Sequence, residues 1–225
     1  MRTKLKRTGI LLLCILFVAA STGAKPKLVS EVEAKEAGLA LINQVFGVTE
    51  TEATVTLSER ESFSYINGEE QTTGKEEKAL IYVVSVPGKG VKATQYQAEV
   101  NAKTGVAFRA SMNSYFLPAM TEEQRKLAET AGASDQPDSY DYDVVSKHCY
   151  RAVKEWIKNT MQSDEPVLGF IDRGFISEES FPQMSAAFYA VMRDGTIYNI
   201  EMMWPQMAIL SVGILNQIEH FEDEP

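Results

Sequence analysis

Residues 96–110, YQAEVNAKTGVAFRA, decide the fold class. Tyr96, Ala98 and Val100 alternate with Gln97, Glu99 and Asn101, the two-residue period of a strand with one buried face. Ala102, Lys103, Thr104 and Gly105 then turn the chain, with Gly105 free to take positive φ, and Val106 and Phe108 resume the alternation. The stretch reads as a β-hairpin with one apolar face that other elements must cover.

Upstream of it lies a helix that can do so. Ser30 and Glu33 form a capping box, the hydroxyl accepting from a first-turn N–H while the carboxylate reaches back. Ala34, Gly38, Leu41, Ile42, Val45 and Phe46 fall at i, i+4, i+7, i+8, i+11 and i+12, one apolar stripe, and Gly47 stands just past its end. Alternating strands follow at 53–57 and 61–66, then the turn dipeptide Asn67-Gly68. Residues 69–78 hold no large apolar side chain and read as a hairpin tip, whereas 80–86, LIYVVSV, is apolar enough for a central strand.

Beyond the hairpin the pattern restarts. Residues 117–140 hold a short helix, opened by a second capping box at Thr121 and Gln124, and a polar linker at 133–139. Asp141 or Asp143 then caps a helix whose apolar residues are Val145, Cys149, Ala152, Val153, Trp156 and Ile157. They repeat the first stripe at a constant offset of 111 residues. Strands at 167–175, 184–192, 197–203 and 207–215 follow, with an Asp194-Gly195 hairpin turn inside the set. The expected fold is α+β, built as two tandem helix-plus-antiparallel-sheet repeats of ~80–90 residues. The repeats occupy 25–116 and 141–217, joined by 117–140 and followed by an acidic tail at 218–225.

The hairpin and the capped helix before it resemble the PepSY domain family, whose strands end in an Asp-x-x-Thr-Gly type of motif. Here Asn101 stands in place of the Asp, while Thr104 and Gly105 match; in the second half Asp194-Gly195 replaces Thr-Gly. The resemblance covers 29–111, and 141–215 in outline. It implies a PepSY-like helix packed on an antiparallel sheet, with no catalytic residues, and an inhibitory or regulatory role of the kind proposed for PepSY modules in propeptides of secreted peptidases and in envelope proteins.

The start of the chain bears on compartment. Arg2, Lys4, Lys6 and Arg7 precede the apolar run GILLLCILFVAA at 9–20, and Thr22, Gly23 and Ala24 offer small residues for cleavage. The run falls short of the ~20 apolar residues that span a bilayer. Residues 1–24 therefore read as an export signal cleaved near Ala24, with an uncleaved N-terminal anchor as the minor reading, and the chain as secreted or extracytoplasmic in a bacterial envelope. Its removal takes four of 22 basic residues and no acid, leaving 18 against 31, a net charge of −13. That charge disfavours nucleic acid and anionic membrane and favours solubility or a basic partner. Only Cys149 remains, so no intramolecular disulfide can form.

Motifs for chemistry are scarce. His148 and Cys149 are adjacent, yet neighbours on a helix point ~100° apart and form no dyad. Cys149 sits in the apolar stripe as a small buried thiol, which leaves His148 to solvent or the domain edge. Asp138, Asp141 and Asp143 start like a calcium loop, but Val145 occupies the next ligand place and Ala152 the place of the bidentate glutamate. Trp156 reads as core; Trp204, ending a strand, reads as buried or exposed equally, and His220 belongs to the acidic tail. No catalytic, cofactor-binding or metal-ligating residue is nominated, and no enzyme activity is expected. Two functions follow: a binding, inhibitory or regulatory module acting on another extracytoplasmic protein, a peptidase among the candidates, or a structural or assembly component of the envelope.

Overall fold

The computed structural model describes residues 27–60, 64–66, 69–71, 79–132, 140–177 and 183–215. The export signal, the whole polar linker with Asp138, His220 and the acidic tail lie outside them.

Helix α1, Glu31–Phe46, begins on the expected capping box: Glu33 N–H donates to Ser30 Oγ while Ser30 N–H donates to Glu33 Oε2 at 2.8 Å. These bonds hold the Glu33 carboxyl below its usual pKa. Strand β1, Thr54–Arg60, follows, then the small antiparallel pair β2, Ser64–Ile66, and β3, Glu69–Gln71. The first three residues of the polar stretch at 69–78 thus pair as a strand; the Asn67-Gly68 turn and 72–78 lie outside the described residues.

Strands β4, Ala79–Pro87, β5, Thr94–Asn101, and β6, Ala107–Met112, complete the first half. The β5–β6 hairpin closes where the alternation places it. Asn101 Oδ1 accepts from Lys103 and Thr104 N–H, and Gly105 takes φ 73°, a conformation that favours glycine. Asn101 thereby does the turn-fixing work of an aspartate. Asp194 does the same in the second half, its Oδ1 accepting from Thr196 N–H at 2.8 Å.

After a 3-10 turn at Ser114–Phe116 and α2, Glu122–Thr130, comes α3, Tyr142–Asn159. Strands β7, Val167–Ser177, β8, Met184–Met192, β9, Ile197–Trp204, and β10, Ala208–Leu215, end the described chain.

Apart from the β2–β3 pair, the strands of the two halves do not make separate sheets. They form one antiparallel sheet of eight strands in the order β1-β4-β5-β6-β10-β9-β8-β7. The last strands of the two halves, β6 and β10, pair with each other, Ala110 opposite Val212 and Ser111 opposite Ser211. Each half alone would leave that edge with unpaired N–H and C=O groups; pairing the two edges satisfies both. β4 is interior but second from the edge, so its apolar run does not mark the centre; the β6–β10 seam does.

Both long helices pack on one face. α1 lays Ala34, Gly38, Ile42 and Val45 over Val84, Ala98 and Val100, with Phe46 against Tyr96. α3 lays Cys149, Val153 and Ile157 over β8 and β9, with Trp156 edge-on to Tyr198. Across the seam the Trp156 indole N–H donates to Val45 C=O at 3.0 Å. The buried residues of both halves accordingly form one core.

Candidate functional site

With α1 and α3 on one face, the sheet register defines the other. Side chains alternate along each strand, so partners in register share a face. Tyr82, Val84, Tyr96, Ala98, Ala110 and Val212 belong to the helix side. Ser85, Gln97, Ser111, Ser211 and Glu201 stand abreast on five neighbouring strands and turn the opposite way. The next row holds Val83, Glu99, Arg109, Gly213, Asn199 and Tyr189. Small and polar side chains thus cross the seam on a surface that neither long helix covers.

These groups hold one another. Arg109 Nε donates to Ser211 Oγ at 3.3 Å, across the seam, and Arg109 Nη1 lies 3.8 Å from Glu99 Oε1. Ser185 Oγ donates to Glu201 Oε1 at 2.7 Å from a buried position. Arg173 donates to Asn199 Oδ1 at 2.7 Å and sits 5.2 Å from the centre of the Tyr189 ring. Gln97 Nε2 donates to Ser85 Oγ at 3.3 Å. Acidic and basic groups alternate across the strip, and their mutual bonds fix the orientations they present. Near one end Thr94, Gln97, Ser111 and Asn113 surround a polar recess of about 150 Å³. Such a surface offers hydrogen bonds and charge in fixed geometry, which suits recognition of another macromolecule.

The residues with chemical potential lie elsewhere. Cys149 is fully buried in the core, where burial pushes its thiol up to about 12, so it is uncharged at neutral pH. His148 does not face open solvent. It is half-buried with its ring 5.8 Å from that of Trp204, so the two neighbours occupy separate environments. Asp141 caps α3, its Oδ1 accepting from Asp143 and Val144 N–H. No group of three or more potential metal-ligating side chains occurs among the described residues. Trp204 is fully buried, and Trp156 half-buried.

A chemical consequence follows for Cys149. A bulky maleimide should label it at least ~100-fold more slowly in the folded chain than in denaturant, because reaction needs the thiolate and an opening of the core. Equal rates would place the thiol at the surface and reopen the His148–Cys149 pair.

None of Glu99, Arg109, Ser211 or Glu201 stands out in the sequence. Each reads as an ordinary solvent-facing position of a strand, and only the register unites them. One signal was available: 97, 99, 109, 111, 199, 201 and 211 are polar places within otherwise apolar strands.

No protein-family model matches the chain, and no curated protein matches it. Among solved structures it is similar to the Bacillus megaterium YpeB C-terminal domain, at 9% sequence identity and a TM-score of 0.42, covering 88% of this chain and 70% of that one. No helix among the described residues is long and apolar enough to cross a membrane.

Proposed function

We propose that this chain is an exported, non-catalytic binding module that docks another extracytoplasmic protein through the sheet face turned away from α1 and α3, and regulates it. The observation that carries this reading is the ordered strip from Ser85 to Glu201, held by Arg109 across the seam. The leader at 1–24 supports export, and the net charge of −13 without it favours a partner with a basic surface. The likeness of YQAEVNAKTGVAFRA to the PepSY motif supports a secreted peptidase as the partner class.

The same reading treats the halves as tandem PepSY-like repeats, 25–116 and 141–217. Its support is the matching element order, helix then strands, and the constant stripe offset of 111 residues. The seam would then join equivalent edges of two copies, and the strip would draw on both.

The test uses the exported chain as bait in its own envelope, with a photo-crosslinking residue at Gln97 on the strip or at Glu36 on α1, both exposed. The expected result is an N-terminus at or near Lys25 and one protein captured from Gln97 but not from Glu36. Arg109→Glu, which sets two acids side by side, should weaken that capture by about tenfold or more. If the captured protein is a peptidase, its turnover should change when the chain is added. Capture from Glu36 alone would overturn the docking face, and capture of a structural envelope component would favour an assembly role.

A further inference from the structure

The C-terminal ends of α1 and α3 meet at a cavity of about 300 Å³ on the helix side of the sheet, away from the polar strip. Phe46 and Trp156 line it from the two helices, Tyr96 and Met112 from β5 and β6, and Met207 from the turn before β10. Both halves of the chain therefore build its wall.

That wall is held in place. The Trp156 indole is pinned by its bond to Val45 C=O, and the Phe46 ring lies 5.0 Å from that of Tyr96. Met207 takes φ 54°, a left-handed backbone uncommon for methionine. Strain of this kind persists only where the surroundings enforce it, and it clusters at ligand sites.

The lining decides the ligand's chemistry. Three aromatic rings and two thioethers face the space, and among the described residues no charged side chain lines it. An anion or a strongly hydrated metal ion would shed its water there without a partner. A bulky organic cation is different, because aromatic rings attract it within ~6 Å of their centres. A space of this volume is about 8 Å across, so a cation near its middle lies within that range of the wall.

The local field favours the same sign. Each helix turns the negative end of its dipole to the cavity, α1 through Gly47 and α3 through Thr160. The last turn of α1 holds no basic residue. Lys158, in the last turn of α3, lines a separate recess with Asp164 and Glu165. Without its leader the chain carries a net charge of −13, which draws cations toward it.

We infer that this cavity binds a compact alkylated ammonium of the trimethylammonium class, and that the occupant ties α1 to α3 across the seam. The site is separate from the strip and stands whether or not the strip docks a protein.

Calorimetry on the exported chain tests this with choline and with dimethylbutanol, its uncharged carbon isostere. Choline should bind at least about tenfold more tightly than the isostere, and should raise the unfolding midpoint in urea. Phe46→Leu keeps the bulk and removes a ring, so it should weaken choline about tenfold and leave the isostere within about twofold. Ala208, also in the lining, offers a second variant: Ala208→Lys places a tethered ammonium in the cavity and should abolish choline binding. Should either variant fail to fold, the unaltered chain still reports. Trp156 is half-buried and Trp204 fully buried, so emission should change with choline and not with sodium chloride at equal ionic strength. Flotation on phosphatidylcholine vesicles alongside choline binding would put the ammonium on a lipid headgroup; choline binding without flotation would make it a free solute. No binding of choline at millimolar concentration, equal or tighter binding of the isostere, or undiminished choline binding by a folded Ala208→Lys chain would overturn the assignment.

Discussion

Ile42→Ala and Trp156→Ala should lower one and the same unfolding transition. Ile42 is fully buried on the sheet-facing side of α1, and Trp156 spans the seam through its hydrogen bond to Val45 C=O. Truncations of this kind cost ~2–5 kcal/mol, a large part of the ~5–15 kcal/mol that holds a typical domain together. Two independent domains would confine each loss to its own half. Here the halves share one sheet, joined at β6–β10, and one core, so neither half keeps a satisfied edge when the other unfolds. In urea, the fluorescence of Trp204, fully buried in the second half, should report the Ile42→Ala loss with the same midpoint as amide exchange in β4 and β5. Opening of the first half while the Trp204 transition stays put would show that the seam is weak and the halves fold separately.

The contrast between that expectation and the two-sheet reading of the sequence has a physical origin. Local chemistry writes its own signs: Ser30 with Glu33, Thr121 with Gln124, and the Asn101-to-Gly105 turn are short-range arrangements that four or five residues determine. The union of β6 and β10 is different. It joins Ala110 to Val212 through main-chain groups that every residue carries, so no side-chain pattern announces it. The position of β4 departs from the central one that its apolar run predicts, and for a related reason. An apolar run reports burial on both faces, and a strand second from the edge satisfies that as well as a central one does.

The polar strip was hidden by the same gap in range. Glu99 and Arg109 belong to one hairpin and could have been paired from the turn. Ser211 and Glu201 come from a segment about a hundred residues later, and only the seam brings them beside Arg109. Conversely, the residues that draw the eye in the sequence are structural. Cys149 fills core space, and Asp141 caps a helix. Trp204, legible only as a strand end, is fully buried because α3 passes over it with His148 against its ring.

Gly38→Ala should destabilise the chain, against the usual rule for helices. In an exposed helix interior this replacement stabilises by ~1 kcal/mol, since alanine loses less backbone entropy. At Gly38, however, an added Cβ would sit 2.6 Å from Val84 Cγ2 and 2.7 Å from Val84 Cβ, well inside contact distance. Val84 is fully buried on β4 and has no room to turn aside. Either α1 lifts from the sheet or β4 bends, and overpacking of this kind costs ~1–3 kcal/mol, enough to outweigh the gain in propensity. Val84→Ala alone should also destabilise, by the loss of two buried methyl groups at ~0.8 kcal/mol each plus the cavity they leave. The double variant should be more stable than the sum of the two losses predicts, because the new methyl on α1 fills the space vacated on β4. Denaturation midpoints of the four chains measure that coupling directly. Additive losses would mean that α1 does not rest on β4 through Gly38, and that the helix crosses the sheet at some other contact.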